Sequence, residues 1–308
     1  MYCHRCSQKA AIRMPHHRLQ LCKEHYLAWF IEHTDHTIRR YHMFDRSAHI
    51  LVAVSGGKDS LSLWDVLWRL GYQVDGMYIN LGIQSEDDYS NRSQRYAEEF
   101  AQQRSLKLQV VDMARDYGES IPEVALGSHR GHSKPCAVCG LAKRHVMNRA
   151  ANDGQYDVLV TAHNLDDEVA ILFGNTLAWD TDLLGRQAPV LEARPGFVRK
   201  AKPFCRFYER ETVAYALLQQ IPYIEEECPY AVGSKQLRYK TLLNELEEER
   251  PGLKLNFYVK YLQARESGFI QPRPPEEGTE AEAHRCPSCG QLTTSSGLCT
   301  FCRLFEQA

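Results

Sequence analysis

The chain reads as an α/β protein built on a parallel sheet, with a small metal-binding module at either end. Three observations carry this reading. Short apolar runs alternate with helical patterns from residue 48 to about 268, which implies parallel strands joined by right-handed crossover helices. A glycine turn, Gly56-Gly57, follows the first of those runs directly. Eleven cysteines occur, most of them in Cys-x2-Cys pairs.

The elements follow in order. Residues 1–33 hold three cysteines and several histidines and form an N-terminal module, with 34–47 as a connecting helix continuing the amphipathic stretch Tyr26–Arg40. Residues 34–270 form the main domain. His49–Val54 is a buried strand. Leu61–Leu70 is a helix, with Leu63, Leu67 and Leu70 at helical spacing and Gly71 in the position that closes it. Val74–Asn80, Leu106–Asp112 and Tyr156–Ala162 repeat the strand signal, with helices over Asn91–Arg104 and Gly140–Asn152 between them. Ligands of such sheets bind at the carboxyl ends of the strands. Residues 271–283, with Gln271-Pro272-Arg273-Pro274-Pro275-Glu276-Glu277-Gly278, have linker composition. A cysteine-rich piece, 284–308, follows, and no long-period repeat is visible.

Composition sets bounds. The 308 residues, 44% hydrophobic, suffice for a sizeable core without disulfide staples. No run of about 18 apolar residues exists, so no membrane partner is expected. The opening Met1-Tyr2-Cys3-His4-Arg5-Cys6 has no apolar signal region, which points to the reducing cytoplasm. There, paired cysteines are metal or redox sites. A net charge of −2 argues against a basic coat but leaves room for a local basic surface.

Ser55-Gly56-Gly57-Lys58-Asp59-Ser60 lies between the first strand and the first helix of the sheet. The glycines let backbone N–H groups turn toward an anion, and the helix N-terminus adds partial positive charge. Lys58 can neutralise phosphate oxygens, Ser55 and Ser60 can donate to them, and Asp59 can hold Mg2+. The spacing is not that of a Walker A loop.

The cysteines divide into three sets. Cys3, Cys6, Cys22 and His25 have the spacing of a closed tetrahedral zinc site, and so do Cys286, Cys289, Cys299 and Cys302. Neither set leaves a position for water, so both are read as structural. Cys136 and Cys139 stand apart, with Cys228 as a plausible third ligand and Cys205 left over. Three thiolates on a cubane iron–sulfur cluster leave one iron open for a substrate sulfur. A redox dithiol or a third zinc are the competing readings.

Ser-Gly-Gly-Lys-Asp-Ser after a strand is the signature of the PP-loop ATP pyrophosphatases, and the chain resembles that family. Two zinc modules, Pro135-Cys136-x2-Cys139-Gly140-x2-Lys143-Arg144 and Glu226-Glu227-Cys228-Pro229 narrow the resemblance to the TtuA/TtcA group of tRNA thiolases, over nearly the whole chain. Cys22-Lys23-Glu24-His25-Tyr26 and His163-Asn164-Leu165-Asp166-Asp167-Glu168 are similar to the TtuA branch, which thiolates the T-loop uridine or ribothymidine at tRNA position 54.

This resemblance implies ATP, Mg2+, two structural zinc ions and a [4Fe-4S] cluster as cofactors. It implies tRNA and a thiocarboxylated ubiquitin-like sulfur carrier as partners, and a homodimer. By the same resemblance, Ala53 and Ile79 match positions whose backbones contact adenine, Ala162 a position beside the nucleotide, Lys143 a lysine near the phosphates, and Asp167 the acid of catalysis. Ala162 stands where the family has glycine. Asp167 also suits capping of a helix over Asp166–Leu177, and Lys143 with Arg144 also suits a solvated helix face.

A basic surface for tRNA is expected from Arg199, Lys200 and Lys202 interleaved with Phe204, Arg206, Phe207 and Tyr208. Lys235, Arg238 and Lys240 form a second group, and Arg39 with Arg40 a third. Wobble-uridine thiolases, which act at position 34, share the two zinc modules and remain the near alternative. A PP-loop ligase acting on a small carboxylate, and a zinc-ribbon adaptor with a vestigial nucleotide site, are the alternatives of other classes.

Overall fold

The computed structural model describes residues 1–84, 88–128, 135–231, 233–271 and 283–305. A hairpin of β1 (Ile12–Met14) and β2 (Leu19–Leu21) leads into α1 (Lys23–Arg40). The chain continues through β3 (His49–Val54), α2 (Lys58–Arg69), β4 (Gln73–Asn80), α3 (Tyr89–Arg104) and β5 (Leu108–Asp112). Two short helices, α4 (Met113–Tyr117) and α5 (Ile121–Gly127), precede the long α6 (Pro135–Asp153). Then come β6 (Val158–Val160), α7 (Leu165–Ala178), α8 (Thr181–Arg186), β7 (Val190–Leu191), β8 (Arg199–Ala201), α9 (Glu209–Leu218), α10 (Lys235–Glu249) and α11 (Leu253–Glu266). The hairpin β9 (His284–Arg285) with β10 (Leu292–Thr293) and a last helix, α12 (Thr300–Phe305), close the described chain.

The expected sheet is present, six strands in the order β5-β4-β3-β6-β8-β7. All neighbours are parallel except the edge pair β7–β8. The first strand, β3, lies inside the sheet, with β4 on one side and β6 on the other. The chain therefore reverses its direction of winding there, and a crevice opens at the carboxyl ends of these strands.

Alternation along the strands separates two cores. Ile50, Val52 and Val54 face one, with α1, α2 and α9. Leu51 and Ala53 face the other, under α6. On β4, Gly76 is required because a Cβ would lie 2.4 Å from the ring of the buried Trp64.

Several boundaries differ from the sequence reading. Helix α1 runs unbroken from Lys23 to Arg40, so the boundary expected at residue 33 cuts through a helix, and 41–47 are not helical. The cause is one apolar stripe, Tyr26, Trp29, Phe30 and Ile38, buried on both sides of that boundary. Helix α6 begins at Pro135 rather than Gly140, because proline is pre-set for the first helical turn. Cys136 and Cys139 thus occupy the first two turns of a helix. The strand expected to end at Ala162 ends at Val160. Of the linker at 271–283, residues 272–282 lie outside the described residues.

Candidate active site

The loop after β3 takes the shape its glycines allow. Gly56 has φ +74°, and a Cβ there would sit 2.1 Å from the Ser93 carbonyl oxygen, so only glycine fits. Gly57 is the N-cap of α2 and brings no capping side chain, which leaves first-turn amides open to an anion. Ser60 Oγ accepts from the Ser55 amide at 3.0 Å and lies 3.1 Å from Ser55 Oγ, locking the two hydroxyls together.

A cavity of about 310 Å³ opens beside this loop, within the size range of small-ligand sites. It gathers residues from five separate segments: Ala53, Ser55, Asp59 and Ser60; Met77 and Ile79; Tyr89 and Ser93; Lys143 and Met147; Ala162, His163 and Asp167. Eight of the residues singled out in the sequence thus share one cavity. Its wall under α6 is apolar, through Ala53, Ile79 and Met147. His163 opens onto the cavity, yet enclosure by protein holds its pKa below the ordinary value, favouring the neutral ring.

Lys58 does not point freely at an anion. Its ammonium lies 2.9 Å from Glu209 Oε1 and 3.2 Å from Asp59 Oδ2. Lys240 lies 2.6 Å from Asp167 Oδ1 and 3.2 Å from Glu209 Oε2. Glu209 therefore joins two lysines, and sequence reasoning missed it. Burial works against its charge, but Lys240 and Lys58 prevail and hold it below the usual carboxylate range. Burial pushes the Asp59 carboxyl up, with Asp167 and Glu209 adding to the effect against Lys58 and Thr212.

Three consecutive acids on α7 have three roles. Asp166 accepts from the Glu209 amide at 2.9 Å and from Lys254 Nζ at 2.6 Å, which fixes the start of α9. Asp167 Oδ2 accepts from the Asn164 amide in a capping box while Oδ1 meets Lys240. Capping and a cavity role thus coexist in one carboxylate. Glu168 is fully buried and holds Lys202 at 2.7 Å.

At the N-terminal end of α6, Cys136 Sγ lies 3.4 Å from the Tyr230 carbonyl oxygen, two residues beyond Cys228. Burial pushes the Cys139 thiol up, Lys143 opposes, and the nearby Cys228 and Cys136 add to the rise. The fold therefore closes the 89-residue gap between Cys139 and Cys228. Tyr89, also missed from sequence, lines the cavity and neighbours Cys228 and Cys139, and burial pushes its hydroxyl to about 12. Cys205 lies elsewhere, fully buried beside Glu168 and Tyr258, its thiol pushed up to about 12 by burial.

The terminal cysteine sets have a different geometry. Four ligands at the usual zinc–sulfur distance imply a sulfur–sulfur edge of about 3.8 Å, and Cys6–Cys22 and Cys289–Cys299 both measure 3.8 Å. His25 Nδ1 is 3.4 Å from Cys3 Sγ and 3.3 Å from Cys22 Sγ. In each set all four ligand atoms lie within 4.8 Å of one another. Both sets fit a closed tetrahedral ion. Cys136, Cys139 and Cys228 do not form such a compact group among the described residues.

The expected stacking surface needs correction. Phe204, Phe207 and Tyr208 are buried, packed around Phe30 and His16. Lys202 is paired with Glu168, Arg199 with Glu192, Arg39 with Asp35 and Lys240 with Asp167. Aromatic interleaving here served the core, as the apolar bulk of these rings dictates. Arg40, Lys235 and Arg238 stay exposed.

Comparison with known proteins follows this geometry. The PP-loop domain model matches residues 30–232, and the N-terminal LIM domain of the 2-thiouridine synthetase TtuA matches residues 2–27. The chain is 46% identical to a tRNA-5-methyluridine(54) 2-sulfurtransferase of Thermus thermophilus, over 99% of this chain and 91% of that protein. It is 40% identical to the protein of the same name from Thermotoga maritima, over 100% and 97%. Among solved structures it is similar to the U34-tRNA thiolase NcsA from Methanococcus maripaludis with its [4Fe-4S] cluster. That match has a TM-score of 0.76 at 24% identity, over 86% and 88% of the two chains, and so supports the fold. With the loop, the cavity and both modules in place, the chain belongs to the PP-loop family, in its tRNA-5-methyluridine(54) 2-sulfurtransferase branch.

Proposed function

We propose that the protein uses ATP to activate the C2 oxygen of uridine or 5-methyluridine 54 in the tRNA T-loop and replaces that oxygen with sulfur. The observation that carries this reading is the placement of Lys143. It lines the nucleotide cavity one helical turn from Cys139, so phosphate chemistry and thiolate chemistry share one helix.

In this reading adenine lies against Ala53, Met77 and Ile79, with Ala162 beside it. The loop amides of Gly56 and Gly57 take the pyrophosphate end with Ser55, Ser60 and Lys58. Asp59 would hold Mg2+, which neutralises phosphate charge when bound. The uracil C2 oxygen attacks the α-phosphorus and pyrophosphate leaves, so AMP becomes the leaving group at C2. Lys143 stabilises charge building on the α-phosphate and Asp167 moves the base's proton. Cys136, Cys139 and Cys228 would hold a [4Fe-4S] cluster, which when bound would hold donor-derived sulfur for transfer to C2. AMP departs as sulfur takes its place. The two four-ligand sets would hold structural zinc.

Arg144, Arg194 and Lys200 support an RNA partner. Burial, with the two arginines adding to it, holds Lys200 below its ordinary pKa, and among the described residues none of the three pairs with a carboxylate. Such uncompensated cations suit phosphodiesters. A thiocarboxylated ubiquitin-like carrier as sulfur source, a homodimer and a cytoplasmic location complete the proposal; no helix among the described residues is long and apolar enough to cross a membrane. Relatives 40–46% identical favour position 54 over position 34. Nucleoside mass spectrometry of tRNA from a deletion strain tests the assignment: the T-loop 2-thio nucleoside should vanish, whereas loss of the wobble thiouridine alone would overturn it.

A further inference from the structure

Five charged groups alternate in sign across the mouth of the site: Asp59, Lys58, Glu209, Lys240 and Asp167. Successive contacts measure 3.2, 2.9, 3.2 and 2.6 Å. Glu209 is the centre. Each of its two oxygens meets a different ammonium, much as a phosphoryl group offers two of its oxygens to two cations. Its backbone is fixed by Asp166, and Lys240 is carried by α10, where Tyr239 packs against Gly174 and Phe173 of α7. Lys240 lies beyond residue 232, where the match to the general PP-loop domain ends.

We propose that Lys240 and Lys58 form a two-ammonium subsite for the β,γ-pyrophosphate of ATP, and that Glu209 occupies this subsite as an internal competitor until the nucleotide arrives. The proposal rests on the nucleotide reading of the loop and adds half of a phosphate site from helices outside that loop. Binding exchanges two carboxylate–ammonium contacts for two phosphate–ammonium contacts. The lysines are thus kept cationic and oriented in the empty protein, and Glu209 returns to them as pyrophosphate leaves.

Calorimetric titration of the zinc-loaded full-length protein with inorganic pyrophosphate, MgATP and AMP tests this. Lys240→Gln should weaken pyrophosphate and MgATP by about tenfold, the effect of one lost charge-assisted hydrogen bond, while AMP affinity stays unchanged. Lys240→Arg should restore pyrophosphate binding. Glu209→Gln should bind pyrophosphate several-fold more tightly than the wild type. Equal losses for AMP and pyrophosphate in Lys240→Gln would show a merely structural lysine and overturn the subsite. Unchanged or weaker pyrophosphate binding in Glu209→Gln would overturn the competitor role. Should Lys240→Gln fail to fold, Lys240→Arg and Glu209→Gln still decide. A wild-type protein that bound neither MgATP nor pyrophosphate would instead reject the underlying nucleotide reading.

Discussion

The two terminal modules have similar ligand geometry and grip different parts of the domain. The N-terminal one seats on α9. His16 Nε2 lies 2.9 Å from Glu211 Oε1, Tyr26 donates to the Glu211 carbonyl at 2.6 Å, and the His16 and Tyr208 rings lie 3.9 Å apart. Glu209, which holds Lys58 and Lys240, opens that same helix. The C-terminal module seats on α6. Phe301 stacks on His145 at 3.8 Å and 6°, and Gln291 donates to the His145 carbonyl at 3.1 Å. That helix carries Cys136, Cys139 and Lys143. One module therefore buttresses Glu209 beside the phosphate loop, and the other the proposed sulfur half, whose helix also carries Lys143.

The largest effect should come from the sulfur half itself. Cys228→Ser should abolish thiolation and the cluster's absorbance after anaerobic reconstitution, while MgATP binding stays close to wild type. Cys205→Ser should keep both iron and activity, because Cys205 is sealed in the opposite core. An iron-replete, active Cys228→Ser protein would falsify the ligand set.

Next in size is the contrast between modules. Cys3→Ser and Cys286→Ser should each lose one zinc per chain, since a four-ligand site loses affinity with any ligand. Their secondary effects should differ: Cys286→Ser lowers iron retention, and Cys3→Ser weakens MgATP. Zinc analysis, iron analysis and nucleotide titration of both variants check this. Identical profiles would show that the modules merely stabilise the whole domain.

Much of this was legible in the residues. The loop, both zinc sets and the parallel sheet follow from local spacing, because short-range geometry suffices to build them. Cys228 could be joined to Cys136 and Cys139 only as a plausible third ligand. Glu209 and Tyr89 were not legible, because nothing local distinguishes them. Glu209 matters through Lys58 and Lys240, 151 and 31 residues away. Lys240 was placed on an RNA surface for the same reason: a charge pattern does not reveal which side of a helix faces a carboxylate. Phe204 and Phe207 misled in the opposite direction, since core aromatics and stacking aromatics have the same composition.

A smaller effect, on stability alone, should follow from Glu211→Ala. Glu211 accepts from the Tyr208 amide at 2.9 Å and meets buried His16. Removing it leaves polar groups without partners, at a cost of roughly 1–3 kcal/mol each. Urea unfolding should show a lower midpoint with zinc content retained. Unaltered stability would mean that the N-terminal module is anchored by its apolar contacts alone.

The smallest effect is a pH dependence where α6 meets the C-terminal module. Burial lowers the pKa of His145 from 6.5 to about 4, because the ring is sandwiched against Phe301 where a charge is poorly solvated. The folded value lies below the unfolded one, so between these values the unfolded chain binds more protons and stability rises with pH. His145 therefore contributes fully above about pH 6.5, and its contribution falls away as pH drops toward 4. His145→Phe keeps an aromatic ring for the stack but cannot titrate. Melting curves from pH 7.5 to 5 should show the wild type losing more stability than His145→Phe over that window. Acid loss of zinc is common to both proteins and cancels in the difference. Parallel curves would mean that the ring finds a proton-tolerant environment on docking.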